Sequence, residues 1–325
     1  MAVYTHLSAE DLARLIGHYD VGKLVSAKGI AEGISNSNWL VETTGSDGNG
    51  ARFILTMYER RIDLSDLPFF LGLLDHLSAK GVPVPRTIHD RDGASSRMVD
   101  DKAVALIEYL PGVSVGHPTP EQARAVGIAL ADLHLASTDF ALTRENDLRP
   151  RDWAAILADA GAGAIGTIDR ALPSVIEESL SDLLEHWPED LPSSIVHADL
   201  FPDNVLMLGS RVSALIDFYF SCHDITAYDL AVTHVAWSFT AGGHDYRTEV
   251  GAALLEGYQS VRPLSQSEIA ALPLLAQGAA MRFIATRIQD WLDTPADALV
   301  TRKDPMDFAR RLQFYRRDGE KVFNA

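Results

Sequence analysis

The sequence predicts an α+β fold in two lobes, a small antiparallel sheet with accompanying helices followed by a larger, mostly helical part. Three observations carry this. Residues 24–59 hold three runs with the two-residue alternation of half-buried strands, broken by short Gly-, Asn- and Ser-rich separators. Pro111-Gly112 then turns the chain after an apolar run. Beyond it the pattern becomes helical, apart from one strand-rich island from Ile195 to Phe220. The lobes divide as residues 1–110 and 111–325, with a hinge over Glu108 to Gly112. The cleft between two such lobes is the expected place for a ligand.

Each element has a local cause. Ser8 opens a helix, with Asp11 three residues on and Leu12, Leu15, Ile16 and Tyr19 on one face. The strands LVSAKGIAEG, NWLVETT and ARFILTMYE follow, and GSDGNG between the last two is a hairpin signal. Asp63 to Lys80 is helical, with Leu67, Phe70, Leu74 and Leu77 in register, and Pro83 and Pro85 stop it. TIHD and KAVALIEYL predict a second hairpin across RDGASSR. Thr119-Pro120-Glu121-Gln122 is a capping box with proline at the first helical position, opening a helix that runs to Ala136. Further helices are expected over Arg151–Ala160, over Pro173–His186 and beyond Tyr228. No internal repeat is present.

Composition narrows the function. With 47% hydrophobic residues among 325, the chain can bury a substantial core. Its formal net charge of −17 repels phosphate backbones and anionic lipid, which argues against nucleic acid and membrane surfaces as partners. The single cysteine, Cys222, allows no intrachain disulfide and fits a reducing compartment, and its neighbourhood gives little support for a nucleophile. The N-terminal residues lack the basic and apolar regions of a signal peptide, and no run reaches the roughly 18 apolar residues of a membrane span. A cytoplasmic protein is expected. Oligomeric state is not legible.

The chemistry concentrates in the island SIVHADLFPDNVLMLGSRVSALIDFYF. Asn204 opens one apolar strand and Asp217 closes the next, with Gly209-Ser210 turning between them. A hairpin centred between Ser210 and Arg211 sets Asn204 opposite Asp217. An amide and a carboxylate side by side suit Mg²⁺, which keeps its other positions for water and phosphate. Taken alone, the two residues read more readily as caps of backbone groups. Asp199, on a loop stiffened by Pro202, adds a carboxylate that is not needed by the metal, and such a group can accept a hydroxyl proton and aim the oxygen. His197 reads as a buried histidine pinning that loop rather than as an acid or base.

HADLFPDN followed by IDF resembles the catalytic loop and metal motif of the protein-kinase-like superfamily, in the form used by the aminoglycoside phosphotransferase and choline kinase branch. LIEYLPG resembles the hinge of that branch, and LADLH the helix ahead of its catalytic loop. DFYFSCHDITAYDLAVTHVAWSF, RPLSQSEIAALPLLAQGAAMRFIATRIQDWL and KDPMDFARRLQFY are similar to the phosphotransferase-type bacterial homoserine kinases, over essentially the whole chain. The resemblance implies that ATP phosphorylates the side-chain hydroxyl of L-homoserine, giving O-phospho-L-homoserine on the route to threonine. It implies Asp199 as base, Asn204 and Asp217 as Mg²⁺ ligands, and adenine held at Glu108, Tyr109 and Leu110. It also implies a phosphate-covering loop at GISNSN, with Ser35, Asn36 and Ser37.

Two features depart from that pattern. In RFILTMYE the alternation puts Arg52, Ile54, Thr56 and Tyr58 on one face, so Ile54 is placed to cover adenine but uncharged Thr56 falls where many relatives carry a phosphate-binding lysine. Lys28 and Arg60 are the substitutes considered. The acceptor's carboxylate needs a cation as well. Arg282 and Arg287 lie on an otherwise apolar helix about 140° apart, and Arg282 is the choice because GAAM before it leaves room for close approach. Trp237 and Trp291 read as core. The alternatives are a kinase of the same fold for an aminoglycoside, choline or methylthioribose, and an inactive nucleotide-binding module.

Overall fold

The computed structural model describes residues 7–30, 36–59, 63–294 and 302–324. The chain divides into two compact units, Met1–Pro111 and Gly112–Ala325.

The first unit starts with α1 (Ala9–Ile16), whose N-cap Ser8 Oγ accepts from the Asp11 N–H at 3.1 Å. Then come β1 (Leu24–Ile30), β2 (Asn36–Thr43), β3 (Ala51–Tyr58), α2 (Leu67–Ala79), β4 (Thr87–Ile88), β5 (Arg97–Val99) and β6 (Lys102–Glu108). The sheet order is β1-β2-β3-β6-β4, with β5 also paired to β6. Because side chains alternate across a strand, the sheet separates two faces. One carries Trp39, Val41, Leu55, Met57, Val104 and Leu106, which form a core with Leu12, Leu15, Ile16 and Tyr19 of the α1 segment. The other carries the cross-strand row Lys28, Leu40, Ile54 and Ile107.

The second expected hairpin needs correction. TIHD does contribute β4, which pairs with β6, but the strand leading into β6 is β5, which the sequence reading passed over. The turn is made by Asp100 and Asp101, both with positive φ (47° and 62°). Short polar residues tolerate that left-handed conformation, and a turn of this twist suits a two-residue hairpin.

In the second unit the capping box opens α3 (Pro120–Ala136), with Thr119 and Gln122 exchanging both hydrogen bonds at 3.2 and 3.0 Å. It is followed by α4 (Pro150–Ala160), α5 (Ala162–Ile168), α6 (Leu172–His186), β7 (Ser193–Val196), β8 (Val205–Leu208), β9 (Arg211–Leu215) and β10 (Cys222–Ile225). Four helices close the unit, α7 (Thr226–Trp237), α8 (Thr248–Val261), α9 (Gln266–Asp293) and α10 (Met306–Phe323). Every residue of α7 is buried, so it is the central rod of this unit. Helix α9 is the one described helix long and apolar enough to cross a membrane, and its middle, from Gly278 to Ala285, is buried in protein.

Helices α3 and α8 approach closely enough to exclude side chains at the crossing. A Cβ at Gly127 would lie 2.1 Å from the Leu254 carbonyl oxygen, and one at Gly257 would lie 2.1 Å from that of Arg124. Neither backbone can yield without moving its helix. Gly127→Ala and Gly257→Ala are each expected to destabilise the protein by about 1–3 kcal/mol, read as a fall of several degrees in thermal midpoint. An unchanged midpoint in both variants would show that the crossing relaxes freely.

Candidate active site

The strand-rich island builds the site in the second unit. β7 delivers the chain to His197, Ala198 and Asp199, and this turn is held from below by Asp229 of α7. The Asp229 carboxylate accepts the N–H of His197 at 2.6 Å and that of Ala198 at 2.8 Å, while His134 of α3 meets it at 3.0 Å. Burial works against the charge of Asp229, but the hydrogen bond and charge of His134 and the donated amides hold its carboxyl below the usual range. The anchored Ala198 takes φ +62°, a conformation costly for a residue with a Cβ.

His197 is fully buried and neutral, since burial pulls its pKa down. Its Nε2–H donates to the Ile216 carbonyl at 3.0 Å, which leaves Nδ1 to face the Asp199 N–H at 3.3 Å. The imidazole thus ties the Asp199 loop to the end of β9. Trp237 is core but also polar support, because its indole N–H donates to the Leu200 carbonyl at 2.9 Å. Trp291 is only half-buried, beneath the Arg302 guanidinium.

Asn204 turns its amide nitrogen to Asp199, donating to the backbone oxygen at 2.8 Å and the carboxylate at 3.2 Å. The amide oxygen therefore points the other way. The Asn204 carbonyl accepts the Ile216 N–H at 3.0 Å, and this corrects the expected register. Asn204 faces Ile216, not Asp217. The strands turn at Gly209-Ser210, with Leu208 opposite Arg211, and a bulge at Ser213 shifts the pairing to Val205 opposite Leu215. Asp217 comes one residue later, at φ +67°, where the left-handed turn re-aims its side chain.

Asp199 and Asp217 are electrostatically coupled. Burial pushes Asp199 up to about 7; the Arg282 charge opposes this, and Asp217 and Asp203 add to it. Asp217 is open to solvent yet crowded by protein, and burial together with Asp203 pushes it up to about 6. Lys303, exposed just before α10, tempers both. Among the described residues no cluster of three or more His, Cys, Asp or Glu could hold a metal. The oxygen donors the hairpin offers are the Asn204 amide oxygen and, one residue beyond its cross-strand partner, the Asp217 carboxylate, whose charge is disfavoured. This all-oxygen pair fits a hard cation that brings most of its ligands as water or phosphate. Cys222 is buried with its thiol pushed up to about 12, which removes it as a nucleophile.

Arg282 stands elsewhere than expected. It is 2% exposed, beneath the loop, where its guanidinium donates to the Ala198 carbonyl and lies between the rings of Phe220 and Phe283 at 5.1 and 4.8 Å. The small residues ahead of it admit neighbouring protein, not an acceptor. Arg287 is held by the Asp304 carbonyl at 2.7 Å and the Asp307 carboxylate at 3.1 Å.

In the first unit, Ile54 is half-buried on the face it shares with Lys28, which is exposed on the edge strand. Thr56 is buried and donates to the Asn38 side chain at 2.8 Å. Ser37 is fully buried and donates to Glu59 at 2.6 Å, so it turns inward rather than toward a ligand. Asn36 is buried, with its side-chain oxygen unpartnered. Ser35 and Arg60 lie outside the described residues. Glu108, Tyr109 and Leu110 are half-buried, and the Glu108 N–H donates to the Arg86 carbonyl at 2.9 Å. Lys102, which the sequence reading did not nominate, pairs with Glu59.

A buried acid-bearing loop tied to an amide and a second acid is the arrangement of a phosphotransferase, and residues 26–264 match the phosphotransferase enzyme family. The chain belongs to that family. Proteins named homoserine kinase are similar to it at full length. One from Azorhizobium caulinodans is 48% identical over 97% of this chain and 96% of its own, and one from Chelativorans sp. is 49% identical over the same shares. One from Brucella canis is 46% identical over 97% and 95%. Among solved structures, an amicoumacin kinase in complex with AMP-PNP and Ca²⁺ superposes with TM-score 0.69 at 15% identity, covering 97% of this chain and 94% of that one. A microcompartment-associated aminopropanol kinase gives 0.67 at 19%, covering 97% and 99%. These two establish the fold.

Asp229 and His134 were missed by sequence reasoning. The signal was available, since an aspartate inside the apolar run TAYDLAVTHVAW needs a partner as much as an arginine does. Asp229→Asn cannot accept from all three donors without turning an amide N–H on one of them. It is expected to lose about 3 kcal/mol or more in chemical denaturation. A variant within the error of the parent would show that the loop does not depend on this carboxylate.

Proposed function

We propose that the chain is an ATP-dependent kinase that transfers the γ-phosphoryl group to the side-chain hydroxyl of L-homoserine, giving ADP and O-phospho-L-homoserine. The observation that carries the acceptor is identity of 46–49% with proteins named homoserine kinase across 97% of this chain. The observation that carries the chemistry is the Asp199 carboxylate, half-buried, steadied by the Asn204 amide and pushed up to about 7. A carboxylate in that state can hold and release a proton near neutrality.

In the reaction the homoserine oxygen forms a bond to the γ-phosphorus while the bond from that phosphorus to the β–γ bridging oxygen breaks. The hydroxyl proton passes to Asp199, and ADP leaves with the bridging oxygen. Asn204 fixes the rotation of Asp199 through its amide nitrogen, so the acid faces one oxygen in one orientation. Mg²⁺ bound by the Asn204 amide oxygen and the Asp217 carboxylate would neutralise phosphate charge there. The left-handed turn at Asp217 and the bulge at Ser213 aim that carboxylate. Adenine is assigned to the backbone around Glu108, Tyr109 and Leu110 with Ile54 over its ring, and the phosphates to the segment holding Ser35, Asn36 and Ser37. Within that segment the inward-facing Ser37 leaves backbone groups as its contribution.

Three measurements test this reading. ADP release is expected with homoserine and not with choline, kanamycin or methylthioribose; equal rates with any of these overturn the acceptor. Asp199→Asn should bind ATP like the parent yet turn over roughly 10²–10⁴-fold more slowly, because proton acceptance and aiming are lost together. Near-parental turnover removes Asp199 from the chemistry. Asp217→Ala should raise the Mg²⁺ concentration for half-maximal rate about tenfold or more, and Asn204→Ala by less, since only the first loses a full charge. If neither variant shifts the Mg²⁺ titration, these two residues do not hold the metal.

A further inference from the structure

If the acceptor is homoserine, as proposed above, its carboxylate needs a cation near Asp199. The two arginines on α9 are committed elsewhere, Arg282 to the Ala198 carbonyl beneath the loop and Arg287 to Asp304 and Asp307. We infer that Lys303 pairs with the carboxylate of the amino-acid acceptor, with Asp203 facing its ammonium group.

Position is the first ground. The chain on both sides of Lys303 is fixed. Arg302 lies over the Trp291 ring at 5.3 Å and donates to the Thr294 carbonyl, and the Asp304 carbonyl receives Arg287. The Asp304 carboxylate accepts the Met306 N–H at 2.9 Å at the start of α10. The first turn of that helix packs on the Asp199 loop itself. Phe308 lies 5.9 Å from Phe201 and 4.8 Å from Phe283, and Phe201 lies 4.8 Å from Phe283. Phe201 sits two residues after Asp199 and three before Asn204. Lys303 is thus presented from an anchored segment that leads directly into the helix packed on the Asp199 loop, and its charge works against the upward shift of Asp199 and Asp217 alike.

Availability is the second ground. Lys303 is exposed and enters no ion pair or hydrogen bond among the described residues. Asp203 is also exposed, on the loop between Asp199 and Asn204, and its charge bears on both site carboxylates. A cation and an anion flanking the acid match a zwitterion. The hydroxyl oxygen and the carboxylate carbon of homoserine are four bonds apart, about 5 Å when extended at ~1.5 Å per bond.

Selectivity is the third. The family match ends at residue 264, whereas the proteins named homoserine kinase align with nearly the whole chain. Lys303 lies in the part beyond the family match, where a group that reads one acceptor rather than the shared chemistry belongs.

The test is steady-state kinetics on the full chain with Lys303→Met, Lys303→Arg and Asp203→Asn. Lys303→Met should raise KM for homoserine about tenfold or more, the scale of one charge-assisted pair, with KM for ATP unchanged. Lys303→Arg should restore most of that loss, and Asp203→Asn should also raise KM for homoserine. The inhibition constant of 3-aminopropanol, which lacks the carboxylate, should be the same for Lys303→Met and the parent. A Lys303→Met enzyme with parental KM overturns the inference, as does one that weakens homoserine and 3-aminopropanol equally. A parent inactive on homoserine overturns the proposed function and this inference together. A parent active on homoserine whose Lys303→Met variant is unchanged overturns this inference alone.

Discussion

The buried carboxylate of Asp229 is the contact on which the site depends. It accepts two consecutive backbone amides, from His197 and Ala198, at the point where β7 must stop and the loop must turn. Ala198 could not hold its left-handed conformation without that compensation. A full charge at 0% exposure needs a counter-charge or donors, and His134 supplies one from α3. The chain of contacts continues outward. His134 meets the Tyr258 hydroxyl at 2.8 Å, that hydroxyl accepts from Arg262 at 3.3 Å, and Arg262 pairs with Glu268 in the capping box of α9. Loop geometry is thereby tied to four helices of the unit, α7, α3, α8 and α9.

The same loop shows how environment separates chemically identical groups. Asp229 has two amides and an imidazole around it and stays ionised despite burial. Asp199 has one amide donor, from Asn204, and is pushed up to about 7. Asp217, at the end of the bulged strand, is pushed up to about 6. The difference follows from donor count, since a carboxylate surrounded by N–H groups is stabilised as the anion and one without them is not. One acid is committed to structure and two are left electrostatically unsatisfied, a state that a cation or a proton relieves.

The sequence carried the elements better than their registers. The capping box at Thr119 forms as written, because its hydrogen bonds span only three residues. The motif HADLFPDN needed no structure to be noticed, and Asn204 does grip Asp199. Non-local geometry was harder. The strands turn one residue earlier than expected, at Gly209-Ser210, which alone would set Asn204 opposite Leu215; the bulge at Ser213 recovers one position, and nothing in VSAL announces that extra residue. Strand β5 is three residues long and too short for a period to show. Arg282, a charge on an otherwise apolar helix, needs a partner whichever way it faces. Whether that partner was a carbonyl or a substrate depends on what packs over GAAM, which only the assembled helices decide.

Helix α9 is long and apolar enough to cross a membrane yet its middle is buried in protein, and Arg282 is the charge that this buried stretch accommodates. Its guanidinium supports the Ala198 carbonyl while Asp229 holds the amides, so one short turn is clamped at its oxygen and its nitrogens by opposite charges. The aromatic rings of Phe220 and Phe283 lie against the cation, replacing water with π-faces that interact favourably with charge. Within a clamp of this kind the arginine cannot also turn outward to an acceptor without releasing Ala198. Support of the loop thus occupies the cation deep in α9, and its charge serves the fold at this point of the chain.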